Sequence, residues 1–344
     1  MSATSTMVTG TGEREMSAPP MKAIVARAFG PPDTLKLEDV ERPAIDPDRM
    51  LVRVRAASVN PADYHSFHGG LMVMLMNRSR RPTTLIQGTD VAGVVEEVGA
   101  NVTDLRPGDE VFGGAPGALA EYASARNVVP KPAGLTFEQA AAIPIAGLTA
   151  LQGLRDKVKL QPGQTILING AAGGVGTFSV QIAKALGAEV TAVCSTRNID
   201  LVRSLGADHV IDYTREDFAR SEKRYDVVFD IVGNRSLGTL RRVATPEGTI
   251  CPLGGSHERG HGARGLLRPM RKMARAVLQR RFVSQKIVIF IAQFNKPDLL
   301  ALRDLVESGA LTPVIDRTYP LSGTPEAFRY LQTGHAPAKI VITV

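Results

Sequence analysis

Residues 165–176 read TILINGAAGGVG. The apolar run Thr165–Ile168 feeds into a glycine-rich turn, and a helical pattern follows from Thr177 to Gly187. A strand, a glycine-rich turn and a helix in that order can hold a pyrophosphate. Glycines let the backbone come close, and the helix N-terminus offers free N–H groups and a positive dipole end. Gly170, Ala172, Gly173, Gly174, Val175 and Gly176 are therefore candidate dinucleotide contacts. The same turn without a ligand is the bland alternative.

The next strand runs from Glu189 to Cys194 and leads into Ser195-Thr196-Arg197. Sites that prefer NAD place an acidic residue near the end of this strand to hold the ribose 2′-hydroxyl. No carboxylate stands between Val193 and Arg197. The Ser195 hydroxyl and the Arg197 guanidinium instead suit a 2′-phosphate, which arginine meets with paired, charge-assisted hydrogen bonds. The expected cofactor is NADPH, with NADH second. Other candidate chemistry is sparse. His65 and His68 stand three apart near Asp63. Two histidines and a carboxylate on a loop are more often surface polar residues than a metal site, so no metal is expected. The two cysteines, Cys194 and Cys251, sit in apolar runs and are too few for a disulfide scaffold or a four-thiolate zinc site. They read as reduced core thiols of a cytoplasmic protein.

At 344 residues, 44% hydrophobic and 22% charged, the chain has the composition of a globular protein of about two domains. Short β-type segments broken by Gly and Pro fill the stretch from Met21 to Val129: Lys22–Ala26, Met50–Ala57, Val91–Val98 and Glu110–Phe112. Leu135 to Lys159 reads as helical, interrupted at Pro144. From Thr165 strands and helices alternate, with strands expected at Thr165–Ile168, Glu189–Val193, His209–Ile211, Asp226–Asp230, Thr249–Leu253 and Lys286–Phe290. That alternation predicts a doubly wound parallel sheet. A helix at Pro297–Ser308, a strand at Val314–Ile315, a helix at Gly323–Gln332 and a strand at Lys339–Val344 close the chain. Residues 1–20 read as a disordered tail without an apolar signal region, and Met21 is a candidate start.

The formal charge of +7 is local. Residues 258–286 carry nine basic side chains and one acidic, leaving the rest close to neutral. Within them, residues 264–281 place Leu266, Leu267, Met270, Met273, Ala274, Val277 and Leu278 at helical spacing between basic residues. The plain reading is an amphipathic excursion that covers the protein's own core or the cleft mouth. Peripheral contact with an acidic membrane is the second reading. No stable nucleic-acid partner is expected, because interleaved aromatics are missing.

The stretches SVNPADY (58–64), GTDVAGVVEEVG (88–99), RPGDEVFG (106–113), AEYA (120–123), AAIPIAGLTAL (141–151), GAAGGVG (170–176), LGADHVIDY (205–213) and KIVITV (339–344) resemble the medium-chain dehydrogenase/reductase family, in its zinc-free quinone oxidoreductase, zeta-crystallin-like branch. They cover nearly everything after residue 21, and Ala171 in place of the first fingerprint glycine is usual in this branch. The resemblance implies an α/β fold. A GroES-like β-rich domain takes 21–145 and 316–344, and a Rossmann domain takes 146–315 with the basic segment 258–285 as an insert. It implies a cofactor in the cleft between them and a homodimer edge at Lys286–Phe290.

Zinc-dependent relatives hold zinc with Cys, His and Cys at positions that correspond to Asn60, Thr89 and Ile145, none of which is such a ligand. Without a Lewis acid, hydride is best delivered to an acceptor that spreads negative charge by conjugation, a quinone or an enone. By resemblance, Asn60 and Thr149 lie beside the nicotinamide or its ribose, Tyr213 lines the 2′-phosphate, and Lys339 belongs to the cofactor set. Val232, Gly254 and Ile291 are weaker cofactor-wall candidates, for which strand-end packing is the alternative. Asn60 and Tyr64 are the catalytic candidates. A tyrosine at 64 can donate a proton or pack beneath the cofactor. The proton-donating tyrosine of enoyl reductases is Leu71 here. The expected activity is NADPH-dependent reduction of a quinone or enone. The alternatives are an alcohol or aldehyde dehydrogenase on the same scaffold, or a weakly active NADPH-binding sensor that associates with membrane or RNA.

Overall fold

The computed structural model of the chain describes residues 19–69, 82, 85–253 and 284–344. The first strands are β1 (Met21–Val25), β2 (Lys36–Val40) and β3 (Met50–Val59). Helix α1 (Pro61–His68) separates β3 from β4 (Asp90–Val98), and β5 (Glu110–Gly114), β6 (Tyr122–Ala125) and β7 (Asn127–Pro130) follow. Two short helices, α2 (Phe137–Ala141) and α3 (Pro144–Leu151), lead into a π-type turn, Gln152–Val158. Then come β8 (Thr165–Asn169), α4 (Gly174–Ala185), β9 (Glu189–Cys194), α5 (Ile199–Ser204), β10 (His209–Asp212), β11 (Tyr225–Asp230), α6 (Leu237–Val243), β12 (Ala244–Pro252) and β13 (Lys286–Ile287). The chain closes with α7 (Lys296–Glu307), β14 (Ile315–Pro320), α8 (Thr324–Gln332) and β15 (Lys339–Thr343).

Six strands form a parallel sheet in the order β10-β9-β8-β11-β12-β13. β8 reads Thr-Ile-Leu-Ile-Asn and is buried from Ile166 to Asn169, as a strand covered on both faces requires. The strand order reverses between β8 and β11. That reversal opens a crevice at their carboxyl ends, where open α/β sheets take their ligands. A second sheet of seven strands runs β14-β15-β3-β4-β5-β7, with β6 paired to β3. The last strands of the chain therefore return to the first half: Ile340 of β15 faces Val59 of β3, antiparallel. One core joins the two sheets, since Ala56, Ala92, Phe112 and Val129 pack in the same buried cluster as Ile143, Leu148, Ile166 and Phe178.

Some elements differ from expectation. The helix expected over Leu135–Lys159 is two short helices and a π-type turn, because Pro144 starts a new first turn. The strand expected at Lys286–Phe290 pairs only at Lys286 and Ile287. Val288 donates one more bond to the Ile250 carbonyl, and the chain then leaves the sheet with Ile289 exposed. The strand expected at Val314–Ile315 is Ile315–Pro320, held by β15. Cys194 and Cys251 are buried thiols, and burial pushes their pKa values up to about 11 and about 12. The tail up to residue 18, Leu71, Gly254 and the basic segment 264–281 lie outside the described residues. Among the described residues no helix is long and apolar enough to cross a membrane.

Candidate active site

The glycine-rich turn is built by backbone contact. Gly170 has φ +90°, a left-handed conformation that favours glycine. A Cβ there would stand 2.7 Å from Val232 Cγ2, so Val232 lies directly over the turn. A Cβ on Gly176 would stand 2.1 Å from the Gly170 carbonyl oxygen and 2.6 Å from the Ala171 carbonyl carbon. Helix α4 starts after Gly173 in extended conformation, with no side chain capping its first-turn N–H groups. The crevice floor is polar. Asn169 Nδ2 at the end of β8 donates to Asp230 Oδ1 at the end of β11 over 2.7 Å, and the Gly233 N–H donates to the same oxygen over 3.1 Å.

The chain's last strand closes this turn from the other sheet. Ala338, at φ +56°, donates its N–H to the Ala172 carbonyl over 2.7 Å. The next residue, Lys339, sends its side chain past Gly174, where a Cβ would lie 3.1 Å from Lys339 Cδ. The ammonium then enters a buried polar cluster. Lys339 Nζ donates to Asn60 Oδ1 over 2.5 Å and lies 3.4 Å from Asp90 Oδ2. Lys339, Asp90 and Asp63 are 3%, 0% and 3% exposed. Ser58 Oγ and the Ile145 N–H also donate to Asp90, over 2.8 and 3.0 Å. Thr89 Oγ1 donates to Asp63 Oδ1 over 2.6 Å.

Asn60 is the N-cap of α1, with Pro61 in the first turn and Asp63 completing a capping box. Its amide orientation follows from the partners. Lysine only donates, so the atom facing Lys339 is the oxygen, and carboxylates only accept, so the nitrogen faces Asp90 and Asp63. Asn60 Nδ2 donates to Asp90 Oδ2 over 2.9 Å and to Asp63 Oδ2 over 3.3 Å. Both amide hydrogens are thereby used. What Asn60 retains for a ligand is an oxygen lone pair, which suits a hydroxyl donor such as a ribose hydroxyl and cannot stabilise a developing oxyanion. Burial raises the pKa of Asp63 to about 6; the Thr89 hydrogen bond opposes the shift, the charge of Asp90 adds to it, and Lys339 and the Asn60 N–H oppose it.

The other candidates are spread more widely. Thr149 is half-buried on α3, one turn from Ile145, whose carbonyl accepts its hydroxyl over 2.7 Å. Tyr64 has its ring on Phe67 and His68, at 5.5 and 4.7 Å. It belongs to the aromatic packing of the β-rich half, and none of these contacts reaches Lys339 or Asp90. At the end of β9, Ser195 Oγ accepts from Asn198 Nδ2 over 3.2 Å, and the Arg197 guanidinium donates to the His335 carbonyl. Tyr213 is exposed just after β10. Ile291 is 87% exposed between β13 and α7, outside the hydrophobic cores. Asp63 is not the surface polar residue expected beside His65 and His68; as the capping carboxylate of α1 it is driven inward. Among the described residues no group of three His, Cys, Asp or Glu side chains is placed to hold a metal.

Sequence reasoning missed Asp63, Thr89 and Asp90 as site residues. The signal was present in Thr89-Asp90, polar residues that open the apolar run of β4 without a turn to explain them.

The cradle fits a dinucleotide: an uncapped helix start and backbone approach that no Cβ obstructs at Gly173, with the Lys339 stem beside Gly174. Comparison with known proteins agrees. Residues 46–133 match the alcohol dehydrogenase GroES-like domain, and residues 205–342 match the zinc-binding dehydrogenase domain. The chain is 37% identical to the mitochondrial NAD(P)H oxidoreductase RTN4IP1 of Mus musculus, over 94% of this chain and 89% of that protein. It is 35% identical to the 2-methylene-furan-3-one reductase of Solanum lycopersicum, over 94% and 79%. Among solved structures it is similar to the quinone oxidoreductase from Coxiella burnetii, with a TM-score of 0.78, 33% identity and coverage of 94% and 99%.

Proposed function

The chain belongs to the medium-chain dehydrogenase/reductase family, in its quinone and enone oxidoreductase branch, and is a nicotinamide-dependent oxidoreductase; from this premise we propose that it reduces a quinone or an α,β-unsaturated carbonyl with NADPH and without zinc. The observation that carries the reading is the Lys339 ammonium on Asn60 Oδ1, 3.4 Å from Asp90. The chain's own cation stands among the residues at positions where zinc-dependent relatives hold a metal. A metal ion there would meet the charge of a lysine, and the available donors are an amide already bonded three ways, a hydroxyl and an apolar side chain.

When bound, the nicotinamide supplies the hydride. The chain supplies position and charge. The uncapped N–H groups of α4 and the backbone at Gly173 and Gly174 receive a pyrophosphate, with the Lys339 stem passing beside Gly174. Asn60 offers an acceptor to a ribose hydroxyl, and Thr149 lines the same wall from α3. Val232 covers the turn and limits water. Such a site orients an acceptor against the cofactor face and relies on the acceptor's conjugation to spread charge.

The preference for NADPH rests on Ser195, Arg197 and Tyr213, grouped after β9 and β10 with no carboxylate between Val193 and Arg197. An Arg197→Ala variant is expected to raise the KM for NADPH about 30-fold, from the loss of charge-assisted hydrogen bonds worth about 2 kcal/mol, and to leave the KM for NADH within about twofold. Steady-state rates with both nucleotides check this. Equal effects on the two cofactors would remove Arg197 from the 2′-phosphate site.

A further inference from the structure

We propose that Thr89, backed by Asp63, is the proton donor of this site. The inference rests on the reductase reading above and adds the residue that completes the reaction. Reduction of an enone needs one proton after the hydride has arrived, and the other polar groups near the turn are committed. Both amide hydrogens of Asn60 point to carboxylates. The Tyr64 ring packs on Phe67 and His68, and neither contact reaches Asp63, Asp90 or Lys339. The Lys339 ammonium is buried and held by Asn60 and the Asp90 carboxylate.

Thr89 differs from these groups. It is half-buried while Asp63 is buried, and its hydroxyl lies directly on the Asp63 carboxyl. The Oγ1 to Oδ1 distance is 2.6 Å, a short hydrogen bond along which a proton can pass. The other carboxyl oxygen of Asp63 accepts the Asn60 N–H over 2.9 Å and its amide over 3.3 Å. A proton on Asp63 therefore belongs on Oδ1, facing Thr89. In that state Asp63 donates to Thr89, and the threonine hydrogen turns outward. The charged neighbours of Asp63 are Asp90 from β4, which favours its protonation, and Lys339 from β15, which opposes it.

The transfer balances. Hydride carries two electrons to the acceptor and leaves an enolate. The Thr89 O–H bond breaks as its proton passes to the acceptor, and the Asp63 O–H bond breaks as its proton passes to Thr89 Oγ1. Asp63 is left a carboxylate and regains a proton from water before the next turnover.

Two measurements test the relay. With a 2-enone acceptor, Thr89→Val is expected to lower kcat about 100-fold with the KM for NADPH unchanged within about twofold, and Thr89→Ser is expected to restore most of the rate. In the wild type kcat falls as pH rises above about 6, because Asp63 loses its proton there, and this limb is absent in Thr89→Val. Independently of turnover, infrared difference titration of the nucleotide-free protein is expected to show a buried carboxylic C=O band that disappears as pH rises through about 6 and is missing in Asp63→Asn. A Thr89→Val enzyme with wild-type kcat, or an Asp63 that stays ionised down to pH near 4, would overturn the relay. A wild type that reduces no enone or quinone would instead overturn the reductase reading, so the two failures are distinguishable.

Discussion

Gly176→Ala is expected to weaken NADPH binding by about 100-fold and to lower the thermal midpoint of the free protein. Position 176 lies in the first turn of α4, where alanine would normally gain about 1 kcal/mol over glycine. Here that gain is overridden. The new methyl would stand 2.1 Å from the Gly170 carbonyl oxygen and 2.6 Å from the Ala171 carbonyl. These are backbone atoms of the same turn, so no side chain can rotate away. Relief requires α4 to move off β8, which costs about 1–3 kcal/mol as overpacking and displaces the N–H groups that receive the pyrophosphate. Gly173→Ala is the control for stability, because its methyl would meet only the Gly170 carbonyl, at 3.4 Å. Nucleotide fluorescence titration and thermal unfolding check both variants. Wild-type affinity in Gly176→Ala would show that the turn does not hold the cofactor.

Lys339→Met has the second large effect. Methionine keeps most of the stem that packs beside Gly174 and removes the ammonium. Asp90 then loses its buried cation while Asp63 remains close by. Removing one partner of a buried ion pair costs about 3–5 kcal/mol, because the remaining charge has no water to turn to. The loss is expected to be about 3 kcal/mol at a pH of about 7.5 and smaller at a pH of about 5. The sign follows from linkage. Without Lys339 the Asp63 carboxyl is harder to ionise, so the folded variant binds a proton that the unfolded chain releases. Its stability, relative to wild type, is therefore greatest in acid and lost as pH rises through the raised pKa. Urea unfolding of the nucleotide-free proteins at the two pH values measures the difference. Equal losses at both would mean that the cluster is held by packing and not by charge.

How much of this was legible in the sequence depended on how local the determinant is. The turn at 165–176 could be read because an apolar strand, its glycines and the following helix lie within one short window. The alternation that makes the six-stranded parallel sheet was equally local. The cluster at Lys339 was not local at all: Nζ reaches an amide 279 positions earlier in the chain. No periodicity or spacing encodes that contact, which exists only because β15 returns to pair with β3. Asp63 was misread for a related reason. Beside His65 and His68 it has the composition of an exposed loop, yet the capping geometry of α1 turns its carboxylate inward against Thr89. The shortening of β13 was hidden because Ile287, Val288 and Ile289 are equally β-prone, and only pairing with β12 decides where the strand stops. The place of Arg197 after β9 was legible, but its bond to the His335 carbonyl, which ties the end of β9 to the loop after α8, was not.

Tyr64 shows the limit of motif reading. Its place after the Asn-Pro pair marks it for catalysis, while its ring packs on Phe67 and His68 in the β-rich half. In the proposed relay Asn60 accepts, Lys339 pairs with Asp90, and Thr89 donates outward once Asp63 carries the proton.

The most direct measurement is anaerobic NADPH oxidation by the purified protein against a panel of quinones and 2-enones, with and without a strong zinc chelator. Turnover of at least one acceptor class at a rate the chelator leaves unchanged is the predicted result. Turnover that the chelator abolishes would contradict it, as would tight NADPH binding with no acceptor reduced.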